Sequence, residues 1–125
     1  MQNTEARLAF ESRCLRFGAT VLKLVGHLSK DSRGKHIGDQ VMRSGTSVGA
    51  NVQEAQAGQS RADFIHKLQI ALKEARETNY WLELLSQSSL IDEPSISVLA
   101  DESRQIAAIL AKSIITAKIN GRSRK

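Results

Sequence analysis

The stretch RSGTSVGANVQEA, residues 43–55, has the composition of a loop and the spacing of a helix. It holds two glycines, two serines, a threonine and an asparagine. Yet Ile37, Val41, Gly45, Val48, Val52 and Ala55 recur every three or four residues, the period at which an α-helix returns to one face. A phosphate-cradling loop would need a preceding strand and the glycine spacing of a dinucleotide or P-loop motif. Here three residues separate Gly45 from Gly49, no Gly-Lys-Ser/Thr follows, and no strand precedes. A helix with a deliberately thin face accommodates both observations. Gly45-x-x-x-Gly49, with Ser44, Ser47 and Ala50 beside it, is a small-xxx-small spacing that lets two helix backbones approach closely.

Three further segments carry the same period. The first runs from about Thr4 to Ser29, with Leu8, Leu15, Leu22, Val25 and Leu28 as its expected core stripe. SKDSRGK, residues 29–35, reads as a break, and the second helix then spans about Lys35 to Gln56. AGQSRAD is a turn in which Ser60 and Asp63 fit an S-x-x-D helix start. The third helix, Ser60 to about Gln87, places Phe64, Leu68, Ala71, Ala75, Leu82 and Leu85 on one face. Asp92 and Pro94 mark a new N-terminus. The fourth helix, about Glu93 to Asn120, repeats Ile96, Leu99, Ser103, Ile106, Leu110, Ile114 and Ala117, with Asn120-Gly121 as its expected stop. No segment alternates as a strand does. Four long helices on short links predict an all-α, antiparallel up-down-up-down four-helix bundle over residues 1–119, followed by a basic tail, 120–125. Ile65, Leu72 and Ile109 fall off the main stripes, so the apolar faces look wider than one core requires, which points to an oligomer.

A chain of 125 residues is one domain by length. Only 4% of its residues are aromatic, so the core must be aliphatic and alanine-rich. Cys14 is the single cysteine and cannot form an internal disulfide; a buried small hydrophobe is the reading its type favours. The start MQNTEARLAF lacks the apolar core of a signal peptide, and no run of ~18 apolar residues spans a bilayer, so a cytoplasmic protein with no membrane partner is expected. The formal charge is +5; Arg122, Arg124 and Lys125 contribute three, leaving +2 for residues 1–119. That balance permits nucleic-acid binding without demanding it.

A polar line, Arg43, Ser47, Asn51 and Glu54, runs along the second helix. With the turn centred near Gly58, antiparallel register sets Arg43 opposite Glu74, Glu77 and Thr78, and sets Asn51 and Glu54 opposite Lys67 and Phe64. Two readings of this line compete: a polar network that fixes helix register, and a ligand site. Metal chemistry finds no support, because His27, His36 and His66 lack the Glu-x-x-His pattern of di-iron bundles and no histidine pair sits four apart. Cys14, His66, Glu74 and Glu77 form no ordered nucleophile–base constellation, so no enzyme activity and no cofactor are expected. Tyr80-Trp81 is an aromatic pair able to stack bases, although Trp81 also suits a core or an interface.

At RSGTSVGANVQEA and SRADFIHKLQIALKEARETNYWLELL the chain resembles a known family. It is similar to the bacterial four-helix bundle proteins first noted as products of 23S rRNA intervening sequences, and to the accessory variability proteins of diversity-generating retroelements. The positions that carry the resemblance are Arg43, Ser44, Gly45, Ser47, Asn51, Glu54, Phe64, Lys67, Ala71, Glu74, Glu77, Thr78, Trp81 and Leu82. The resemblance implies a ring-shaped homopentamer and no catalysis. For the retroelement proteins it also implies a basic surface that binds nucleic acid and a reverse-transcriptase partner. This chain departs from those members in the modest charge of its body, although five copies would together carry about +25. The expected function is therefore a non-catalytic oligomeric bundle binding RNA or DNA. Arg7, Arg13, Arg16, Lys23, Arg122, Arg124 and Lys125 are the candidate contacts. The alternative is a protein-interaction scaffold with no nucleic-acid role.

Overall fold

The structure, a computed structural model, describes residues 4–91 and 94–123, the side chains of 122 and 123 excepted. Among the described residues four helices follow one another: α1 (Thr4–Val25), α2 (Ser32–Gln56), α3 (Arg61–Ser88) and α4 (Ser95–Ser123). No strand occurs among the described residues. At 1.5 Å per residue the helices are about 33–44 Å long. Each packs against its neighbours in sequence, and α1 and α4 touch least, so the bundle closes more loosely along that seam.

The α1 stripe differs from the expected one. Its buried residues are Phe10, Cys14, Phe17, Gly18, Val21 and Leu24, spaced three and four apart, and Leu28 beyond the helix joins them. Leu8, Leu15 and Leu22 are instead 52%, 74% and 50% exposed. A spacing of seven alone does not identify the inward face, because two stripes of one helix can both keep it. The face that also fills the intervening three- and four-residue steps is the one that packs. On α2, α3 and α4 the expected faces are the buried ones, with Val41, Val48, Val52, Leu68, Leu82, Leu85, Ile106 and Leu110 fully enclosed. Ile65, Leu72 and Ile109 pack against this core as partly buried residues.

Helix ends follow local chemistry. The α2 start lies within SKDSRGK rather than after it: Asp31 caps the helix by accepting from the backbone N–H groups of Arg33 and Gly34. Gly34 is buried against the preceding chain, and a Cβ there would come within 2.0 Å of the Ser29 carbonyl oxygen. Ser60 caps α3 by accepting from the Asp63 N–H at 3.1 Å, and Ser89 ends it in the left-handed region at φ 61°. Asp92 lies outside the described residues. At the other end α4 runs through Asn120-Gly121 to Ser123, because Gly121 does not adopt positive φ. The Arg61 side chain lies across this last stretch: it crowds Gly121 and donates to the Ala117 carbonyl oxygen at 3.2 Å. The boundary drawn at 119 thus falls inside a helix.

The glycine face of α2 meets α1. A Cβ on Gly45 would stand 2.9 Å from Val21 Cγ2, and one on Gly49 would stand 3.3 Å from Cys14 Cβ. The small residues let the two backbones close to a distance at which larger side chains collide. Across the bundle, Asn79 on α3 donates to the Ala100 carbonyl oxygen and to the buried Ser103 hydroxyl, which explains a serine on the α4 core stripe.

Candidate functional site

Three groupings of side chains emerge from this frame. The first is a polar seam between α2 and α3. Arg43 donates to Glu74 Oε2 at 3.2 Å and to Glu77, and Lys67 donates to Glu54 at 2.7 Å. Glu77 also accepts from the Trp81 indole N–H at 3.1 Å. Ser47 and Asn51 do not cross to α3. The Ser47 hydroxyl donates to the Arg43 carbonyl oxygen, and the Asn51 amide donates to the Ser47 carbonyl oxygen, both within α2. Short side chains on a helix reach their own preceding turn more easily than a neighbouring axis. Their place in the seam is taken by Ser44, a residue the polar line left out. The Thr78 hydroxyl lies 2.8 Å from the Ser44 hydroxyl and 2.7 Å from the Glu74 carbonyl oxygen, all of it buried. A serine among glycines signals its partner only once the register is known. Every group here is engaged by another protein group, which suits fixing register rather than holding a ligand.

The second grouping is on α1. Leu8, Leu15 and Leu22 form an outward ridge beside a groove of about 750 Å³. Gly18, Ala19, Gly49, Ala50 and the buried Cys14 floor it. Burial pushes the Cys14 thiol up to about 12, which keeps it protonated and unreactive. A ridge of leucines next to a trough of small residues places knob and hole on the same surface.

The third grouping is the set of surface cations. Arg7 pairs with Glu11 at 3.5 Å. Arg13 forks onto Glu102, both contacts at 2.7 Å, and donates to Gln105 at 2.8 Å. The guanidinium holds the Glu102 carboxyl below its ordinary range, and the carboxylate raises Arg13 in return. Arg13 is therefore the clamp across the loose α1–α4 seam, not a free cation. Arg16 and Lys23 are exposed and carry no ion pair among the described residues. Each directly follows a leucine of the ridge. Arg124 and Lys125 lie outside the described residues, and so does the side chain of Arg122. Among the described residues no three His, Cys, Asp or Glu side chains group as a metal site requires. No described helix is long and apolar enough to cross a membrane.

Comparison with known proteins is consistent with this architecture. A family model described as 23S rRNA-intervening sequence protein matches residues 7–112. Among solved structures, a protein of unknown function from the S23 ribosomal protein family of Bacteroides thetaiotaomicron is 40% identical. It superposes with a TM-score of 0.79 over 86% of this chain and 96% of that one. No curated protein matches.

Proposed function

Because this chain belongs to the 23S rRNA-intervening sequence protein family, we propose that it is a non-catalytic assembly module that binds nucleic acid through surface cations. The observation that carries the assembly is the α1 ridge, since three leucines at least half exposed lie beside a trough able to receive leucines. A second copy supplies what the trough fits, the leucine ridge of one chain entering the trough of the next, head to tail, so that the contact repeats around a ring. Covering the exposed halves of three leucines contributes roughly 3 kcal/mol per patch. The ring-shaped homopentamer implied by the family resemblance is the arrangement we adopt for that assembly.

Nucleic-acid binding is supported by the +5 charge and by cations that form no ion pair among the described residues. The family's description refers to 23S rRNA, and that of the Bacteroides protein to a ribosomal protein family. Contacts of this type go to phosphate and weaken steeply with salt. Titrating a labelled RNA against the protein tests the reading. Binding near 0.05 M salt that is lost by about 0.5 M supports it, whereas no binding at the lower value, or full retention at the higher, contradicts it. For a retroelement-type role, the same assembly would present this surface to a reverse transcriptase.

A further inference from the structure

Helix α3 sorts its charges by face. Glu74 and Glu77 are held by Arg43 from α2, and Glu83 is held by Arg104 from α4. Between these two flanks runs an outward stripe of His66, Gln69, Lys73, Arg76 and Tyr80, three or four residues apart and exposed at every position. Lys73 and Arg76 carry no ion pair among the described residues. Over about 21 Å of helix the stripe offers cations and no carboxylate. This is not ordinary surface mixing, because all three carboxylates from Glu74 to Glu83 are turned aside to partners.

Tyr80 sits at the end of that row and is 59% exposed. Its ring meets Trp81 edge to face, with centroids 5.1 Å apart and planes at 74°. Trp81 is itself tied through its N–H to Glu77, and Glu77 to Arg43. An exposed ring braced in this way loses little freedom on stacking. Leu84, one turn further on, extends the apolar platform. Arg16 and Lys23, by contrast, adjoin the leucines that assembly covers.

We infer that the outward face of α3 is a contact for single-stranded nucleic acid, with Lys73 and Arg76 on phosphates and Tyr80 stacked against a base. Cations that track the backbone and an aromatic that takes a base are the two components of single-strand recognition. A duplex keeps its bases stacked on one another and offers Tyr80 little. The inference rests on the nucleic-acid reading above and adds the face and the strand form.

The test compares a labelled single strand of roughly 20 nucleotides with a duplex of the same length by anisotropy at about 0.05 M salt. Tyr80→Ala is expected to weaken the single strand about fivefold or more, leave the duplex unchanged, and be rescued by Tyr80→Phe. Lys73→Ala with Arg76→Ala is expected to flatten the salt dependence on the single strand by about 1.4 in log–log slope. Both of these residues are exposed, so this pair reports even where Tyr80→Ala perturbs the helix. Emission from Trp81, the single tryptophan, should change with the single strand and not with the duplex. Wild-type affinity in both the Tyr80 and the Lys73/Arg76 variants overturns the α3 assignment while the general reading stands. Equal weakening of duplex and single strand by Tyr80→Ala overturns it as well. Failure of the wild-type protein to bind either form overturns both.

Discussion

Thr78 and Ser44 show what a single buried polar pair contributes to this bundle. Both hydroxyls are out of solvent and bonded to each other, and each also reaches a carbonyl oxygen of its own preceding turn, Thr78 that of Glu74 and Ser44 that of Val41. Removing one partner takes from the other its bond across the helices and leaves only the bond within its own turn, which costs about 0.5–1.5 kcal/mol, whereas removing both lets apolar contact replace the pair. Thr78→Val alone should therefore destabilise the protein more than Thr78→Val combined with Ser44→Ala. A urea-unfolding double-mutant cycle checks this, and strict additivity would remove the pair from the account. Arg43 is a second residue with disproportionate effect, because it faces Glu74, which is buried. Arg43→Ala should lose about 1–3 kcal/mol, while Lys67→Ala, whose partner Glu54 is exposed, should lose at most about 1 kcal/mol. The same unfolding measurement ranks the two.

At the scale of the helix, α2 shows how much of the fold was legible and where legibility stopped. Its period survived an unhelical composition, since Val41, Gly45, Val48, Val52 and Ala55 all lie on the buried face. What the period left open was the neighbour: the glycines press on α1 while Arg43 and Glu54 reach α3. Gly45→Leu forces Val21 to move and should cost about 1–3 kcal/mol of stability; a melting temperature at or above wild type would contradict that packing. On α1 the regular spacing of Leu8, Leu15 and Leu22 suggests a core stripe, yet all three face outward. Candidate cations were legible as charges and not as free charges, since Arg13 looks the same in sequence whether it meets solvent or Glu102. That pair has a pH signature. The Glu102 carboxyl is lowered in the fold by Arg13, so its contribution is present above the unfolded carboxylate range and disappears as pH falls through the folded value. Glu102→Gln should flatten the loss of stability as pH falls below the ordinary carboxylate range, and an unchanged acid profile would show that the clamp carries no linkage.

For the whole molecule, the pieces combine into one division of labour. The inner faces make a bundle and the α2–α3 seam sets its register; in the function proposed above, the α1 ridge would join copies and leave α3 outward with its cations. Such an assembly would multiply the outward face, and several weak phosphate contacts on one strand would then act together. Loss of assembly should consequently weaken nucleic-acid binding without altering the helices. The most direct measurement is sedimentation of the wild-type chain beside Leu15→Glu, which places a charge at the most exposed ridge position. The wild-type protein should sediment as a multiple of its 13.7 kDa, five copies in the ring arrangement, and Leu15→Glu as a single folded chain. A wild-type monomer, or a Leu15→Glu variant that assembles as the wild type does, would contradict the account.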